Sequence, residues 1–361
     1  MSIDSNRKGL KRYSPEYEQE IFDFQREAYP DRSPDVIPDR WRWMFLQSAK
    51  SEQCEPLVWL YFRKGELVAH QGGIPVRLTV KQRTIRTCWF VETMVLDRAR
   101  RGPVGATLVA KALEDAPFNL SLGQSPLMRE MQYRLGWKQI GALHTYVLPL
   151  DAEAILAGRK LIERSALAAY LRFQRVRRRM YRNFNDSADV EFSPVEIFGS
   201  EHNELWARTS RWYPCAVVRD ADFLNWKFVA QPGQRFVCFQ VMKRGVLSAI
   251  VVAVKRPARE PYSYARLEVC DVVVDPGDGG LIGAIVRKLA EFASSLQCAS
   301  IFFNVRHHQL EKSLARNGFL KRQSTRWLLL ATAGLDVRER ESVESIENWL
   351  LTSADSDIDR P

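Results

Sequence analysis

The chain has 361 residues, of which 46% are hydrophobic and 27% charged, with a formal net charge of +10. That length suits roughly two domains of 100–200 residues, and the composition excludes a disordered or collagen-like chain. No apolar run approaches the roughly 20 residues that span a bilayer, and the polar start Met1-Ser2-Ile3-Asp4-Ser5 lacks the apolar stretch of a secretory signal, so a cytoplasmic location is expected. In chain order, Ile21, Phe22, Phe24 and Ala28 recur on one side of a helix expected over Tyr17 to Tyr29, which Pro30, Pro34 and Pro38 then break. A short helix carrying Trp41, Met44, Phe45 and Leu46 follows. Leu57 to Phe62 turns at Arg63-Lys64-Gly65-Glu66 into Leu67 to His70, a hairpin, and Thr84 to Phe90 and Thr93 to Leu96 read as two more strands. The basic loop Arg98-Ala99-Arg100-Arg101-Gly102-Pro103 starts a helix through Leu108 and Leu113, with Pro103 suited to a first helical turn.

Much of this order returns about 180 residues later. Trp41 to Phe45 reappears as Phe223 to Phe228, with Trp43 matching Trp226. The strand ending Val91-Glu92-Thr93 reappears as Cys270-Asp271-Val272, and Gly136-Trp137 as Gly318-Phe319. Three anchors in one order at near-equal spacings point to a duplicated domain rather than to a short-period solenoid. The second copy repeats the hairpin, Phe236 to Met242 turning at Lys243-Arg244-Gly245 into Leu247 to Val254, and the strand Arg266 to Val274. Its loop reads Asp275-Pro276-Gly277-Asp278-Gly279-Gly280, with two carboxylates and no arginine, a sequence that repels phosphate.

The order of helix, helix, hairpin, long strand, basic glycine loop, helix, the strand Asn119 to Leu122, and Tyr133-Arg134-Leu135-Gly136-Trp137 resembles the GNAT acyl-CoA N-acyltransferase family. In that family the strand-to-helix loop reads approximately V-x-P-x-Y-R-x-x-G-x-G, and its amides at a helix start hold the CoA pyrophosphate. Val95, Arg100 and Gly105 fall on the motif; Asp97, Ala99 and Pro103 depart from it, and a proline has no amide hydrogen to donate. The resemblance implies a mixed, mostly antiparallel α/β (α+β) fold repeated in tandem. It implies acetyl-CoA or another acyl-CoA as co-substrate, contacted at Val95, Arg100, Arg101, Gly102, Val104 and Gly105. Tyr133, Gly136 and Trp137 match the family's Y-x-x-G-[FW], whose tyrosine protonates the departing thiolate, and Glu92 stands where some members place a general base. The bland readings are a packed helical tyrosine and a salt-bridged strand glutamate.

Expected domains are therefore 1–150, which carries the chemistry, a basic helical linker over 151–190, a degenerate copy over 191–335 and a tail over 336–361. Trp43 and Asp271 are expected to shape a substrate cleft. The arginine-rich stretch 159–182 reads as an amphipathic helix: a solvated linker first, then a surface for anionic lipid, with nucleic acid third. The expected activity is acyl transfer from acyl-CoA to an amine of a small molecule or sugar precursor. A Fem-type transferase using charged tRNA and a non-catalytic binding module remain as alternatives. The six cysteines, Cys54, Cys88, Cys215, Cys238, Cys270 and Cys298, form no CxxC pair and read as core residues. His307-His308, in an extended loop, should face apart, so no metal is expected.

Overall fold

A computed structural model of the chain describes residues 8–157, 189–233 and 235–357, together with 165, 168–170 and 172. The expected basic helix at 159–182 thus lies outside the described residues save for those few positions. Among the described residues the strands, numbered in chain order, form two eight-stranded sheets, and no helix is long and apolar enough to cross a membrane.

The first sheet runs β1 (Gly9–Arg12), β2 (Leu57–Arg63), β3 (Glu66–Val80), β4 (Arg83–Val95), β5 (Phe118–Leu122), β15 (Trp327–Thr332) and β6 (Lys138–Ala142), with β9 (Cys215–Val217) paired to β3. The second runs β14 (Leu320–Arg322), β7 (His144–Pro149), β13 (Ser300–Arg306), β12 (Arg266–Val274), β11 (Val246–Arg256), β10 (Val237–Lys243) and β8 (Val190–Pro194), with β16 (Leu351–Thr352) on β13. Pairing is antiparallel except for β4 with β5 and β12 with β13. The repeats exchange strands: β15, late in the chain, sits between β5 and β6, while β7, early in the chain, sits between β13 and β14. The sheets therefore do not follow the boundaries expected at 150 and 191, because apolar alternation marks a strand without naming its partner. Residues 336–357 fold as well, through the helix Val337–Val343 and β16 into a buried stretch at 351–357.

The two strands expected at Thr84 to Phe90 and Thr93 to Leu96 are one strand with a bulge. Across β3, Gly72 pairs with Val91 and His70 with Met94, so Gln71 alone faces Glu92 and Thr93. Glu92 absorbs the extra residue with φ of 51°, a left-handed conformation that β-carbon sterics disfavour for a non-glycine residue.

The aromatic repeat places the two halves against each other. The helix Ile37–Arg42 widens into a π-helical turn, Trp43–Gln47, and the helix Ala221–Leu224 does the same over Asn225–Val229. The Trp43 and Trp226 rings stack with centroids 5.3 Å apart and planes 16° from parallel. The Trp43 indole N–H donates to the Trp226 carbonyl at 2.7 Å, and the Trp226 indole N–H donates to the Trp43 carbonyl at 3.0 Å. The contact is thus its own image under an approximate two-fold. Lys227 sits over both rings, 5.6 Å from one and 5.7 Å from the other. Removing one ring opens a large cavity and leaves a buried carbonyl without its donor. Trp43→Ala should therefore lower unfolding free energy by about 3–5 kcal/mol in urea titrations; a loss below about 1 kcal/mol would mean that the halves are held elsewhere.

Candidate active site

The site begins with a parallel pair that opens. β4 and β5 are joined at Cys88 with Asn119 and at Trp89 with Leu120; past these the bulge at Glu92 lies on β4, while β5 continues along β15. Strands that part in this way leave a wedge between their carboxyl ends. Two helices stand at its mouth, Val104–Asp115 after β4 and Pro126–Arg134 after β5. Gly105 lets the first of them sit close on β4: a β-carbon there would lie 3.3 Å from Val95 Cγ2, while Met131 Sδ on the second helix would be at an ordinary 3.9 Å.

The start of the helix Val104–Asp115 carries no side-chain cap, so its leading N–H groups and the positive end of its dipole are not met by a side chain of the cap. Gly102 turns the loop with φ of 129°. Arg100 and Arg101 are exposed, and Arg100 is folded onto its own loop, its Nε donating to the Val95 carbonyl at 3.0 Å and its NH1 2.6 Å from Asp97. Tyr133, on the second helix, is 40% exposed and donates its hydroxyl to Gln139 Oε1 at 2.6 Å.

Glu92 faces the other side of the sheet, against the helix Glu18–Ala28. The apolar surroundings expected from Phe90, Val91 and Met94 are replaced by polar ones. Arg32 NH2 is 2.7 Å from its Oε1, Gln25 Nε2 donates to its Oε2 at 3.1 Å, and Arg32 NH1 donates to Gln25 Oε1 at 2.9 Å. The Arg32 guanidinium lies 3.7 Å over the Tyr29 ring. The bulge explains the mismatch, since the extra residue turns Glu92 away from the face that simple alternation assigns. Gln25, a polar residue on the buried face of its helix, was the available signal for this network; Arg32 carried none.

The second wedge is filled by the chain itself. β12 and β13 pair from Arg266 with Ser300 to Val269 with Phe303, and beyond them β16 joins β13 at Val305 with Thr352. The Ala354 N–H then donates to the Cys270 carbonyl at 3.0 Å. Asp271, the counterpart of Glu92, accepts from Arg219 Nε at 3.2 Å and from Thr352 Oγ1 at 2.8 Å, while Arg219 NH2 reaches Asp355 at 2.7 Å. Burial by itself would lower the pKa of Arg219, yet Asp355 and Asp271 carry it upward. Lys227 Nζ donates to the Ser356 carbonyl at 2.8 Å. Asp271 and Trp43, expected to line a cleft, are each 1% exposed, the first locked in this ion cluster and the second under Trp226. The helix Gly279–Ser295 is also closed, because Asp278 Oδ1 accepts from the Leu281 N–H at 2.9 Å and pairs with Lys243.

His307 and His308 do not face apart as expected. His307 stands at the N-cap position of the helix that His308 opens, without a side-chain capping bond, and their ring centroids are 5.1 Å apart. Among the described residues no group of three or more histidine, cysteine, aspartate or glutamate side chains is placed to hold a metal ion. Burial, with His308 adding to it, pushes the His307 pKa down to about 4, and His70 and His202 shift downward by burial as well. The unfolded chain therefore binds more protons between pH of about 4 and 6.5, so stability should fall as pH drops through that window. Urea midpoints at pH 7 and 5 should differ accordingly, with a smaller difference in His307→Asn; an unchanged difference would assign the slope to other groups.

No family model matches the chain, and no curated protein matches it in sequence. Similar solved structures include a GCN5-related N-acetyltransferase from Anabaena variabilis, with 10% identity, a TM-score of 0.63, and 89% of this chain and 71% of that one covered. A conserved protein of unknown function from Enterococcus faecalis, described as a probable N-acyltransferase, is similar at 10% identity and TM-score 0.61, with 89% and 71% covered. The N-myristoyltransferase of Saccharomyces cerevisiae, solved with myristoyl-CoA bound, is similar at 11% identity and TM-score 0.56, with 90% and 81% covered. At such identities the likeness is one of architecture, and it agrees with the two sheets and their flanking helices: the chain has a two-domain GNAT-like fold.

Proposed function

We propose that this chain is an N-acyltransferase that moves an acyl group from acyl-CoA to an amine of a small molecule or sugar precursor, using the wedge of the first repeat. The observation that carries the reading is the contrast between the two wedges. The first ends at an uncapped helix start, which suits a diphosphate. The second is filled by 351–357, and its helix is capped by Asp278. Parted strand edges also suit the amides of an extended pantetheine arm. The yeast transferase of similar fold, solved with myristoyl-CoA bound, supports acyl-CoA as the donor class. In the first repeat, the pyrophosphate would meet the helix start at Val104 and Gly105, with Gly102 giving close approach and Arg100 and Arg101 supplying charge. Val95 would border the arm.

In the reaction, the acceptor nitrogen attacks the thioester carbonyl. The C–N bond forms, the C–S bond breaks, one proton leaves the amine and one reaches the thiolate. Glu92 is the base in this reading, taking the amine proton directly or through a water, with Arg32 and Gln25 fixing its carboxylate. Tyr133 is the acid, and Gln139 orients its hydroxyl until the thiolate forms. An acid of this kind contributes about 10²- to 10⁴-fold, so Tyr133→Phe should depress turnover on that scale with acyl-CoA affinity nearly unchanged. Thiol release from acetyl-CoA with a panel of amines measures the first, and calorimetric titration with acetyl-CoA measures the second. Gly105→Val should abolish binding, and Ala315→Tyr, which restores the motif in the second repeat, should change neither. Full turnover in Tyr133→Phe, or full affinity in Gly105→Val, would move the site away from the first repeat.

A further inference from the structure

The bulge that opens the first wedge has a dedicated partner. His70 lies on β3 at the bulge and is wholly buried. Its Nδ1 is 3.1 Å from the Glu92 carbonyl oxygen, and its Nε2 is 3.2 Å from the Trp41 indole nitrogen. A carbonyl only accepts and an indole N–H only donates, so the two partners together place the imidazole proton on Nδ1 and leave Nε2 bare. Burial lowers the pKa of the ring against the opposing pull of Glu92, which favours the same neutral form. Phe24 stacks on the imidazole at 6.1 Å and Phe45 tilts against it at 5.5 Å. Gly72 makes room for that arrangement, since a β-carbon there would stand 2.2 Å from Phe45 Cε1. In the second repeat β11 carries no histidine, and the carbonyl of Cys270, the extra residue of that bulge and the counterpart of Val91, is taken by the Ala354 N–H of the inserted segment.

We propose that His70 is a positioning residue for acyl transfer: its Nδ1–H holds the carbonyl of Glu92, and through it the left-handed bulge that parts β4 from β5 and turns the Glu92 carboxylate toward Arg32. The extra residue of a bulge disrupts the ladder locally, and a buried carbonyl left without a donor is costly. His70 supplies that donor from the neighbouring strand β3. The inference rests on the first repeat being the acyl-CoA site.

The test uses the full chain with histidine labelled in nitrogen, and two substitutions that place an amide differently. Asparagine sets its N–H₂ near the position of Nδ1, whereas glutamine extends it toward Nε2. The wild type should show His70 protonated on Nδ1 and bare on Nε2. Calorimetric titration with acetyl-CoA should give His70→Asn within about threefold of the wild type and His70→Gln weaker by about tenfold or more, the scale of one lost buried hydrogen bond. A ring protonated on Nε2, or equal affinities in the two variants, overturns the proposal. If His70→Gln does not fold, Trp41→Phe replaces it; a mixture of tautomers with weakened acetyl-CoA binding is then expected, and an unchanged tautomer with unchanged affinity overturns it. A wild type with no affinity for acetyl-CoA overturns the functional reading and this inference with it, whereas a binding wild type with indistinguishable variants overturns this inference alone.

Discussion

The reciprocal contact between Trp43 and Trp226 is the constraint on which the rest of the structure depends. Each indole buries its face on the other and gives its only polar hydrogen to the other's backbone, so neither repeat is complete without its partner. The exchange of β7 and β15 between the sheets adds a second tie of the same two-fold kind. A chain bound in this way behaves as one body with two related wedges.

Given that shared frame, the two repeats differ in how they satisfy the same groups. Each has a bulged strand bearing a carboxylate, and each pairs that carboxylate with an arginine lying ahead of its own aromatic turn: Glu92 with Arg32, Asp271 with Arg219. In the second repeat the arginine is wholly buried, and a buried charge needs its partners on the spot. Asp355 and Thr352 supply them beside Asp271 and the Val217 carbonyl, and the segment that carries them fills the wedge. In the first repeat Arg32 keeps part of its surface in water and rests on Tyr29, and among the described residues no strand enters the first wedge as β16 enters the second.

The duplication was legible because tryptophans and the carboxylate-bearing strands are rare enough to align by eye, and the strands because their alternation is strong. The helix after the basic loop was marked by Gly102 and Pro103, which bracket its start as turn chemistry requires. What stayed hidden needed the third dimension. The bulge at Glu92 broke an alternation that looked like two strands, and with it the assignment of Glu92 to an apolar environment. The exchange of β7 and β15 was invisible because both are ordinary apolar strands, equally suited to either sheet. Arg219 and Lys227 gave no sequence signal of burial, since a charge in sequence does not announce the carboxylate or carbonyl that will meet it more than a hundred residues later. The last residues read as a tail for the same reason: Thr352, Asp355 and Ser356 are polar, and only the cations waiting in the core explain why they are buried.

The central claim is that one wedge takes a ligand and the other is already taken, and amide hydrogen exchange tests it most directly. With saturating acetyl-CoA, the account predicts new protection at the start of the helix Val104–Asp115 and along β4 beyond Glu92, with exchange unchanged at the start of the helix Gly279–Ser295 and across 351–357. Protection at 279–282 instead, or faster exchange of 351–357 as the ligand enters, would assign the binding site to the second repeat and contradict the account.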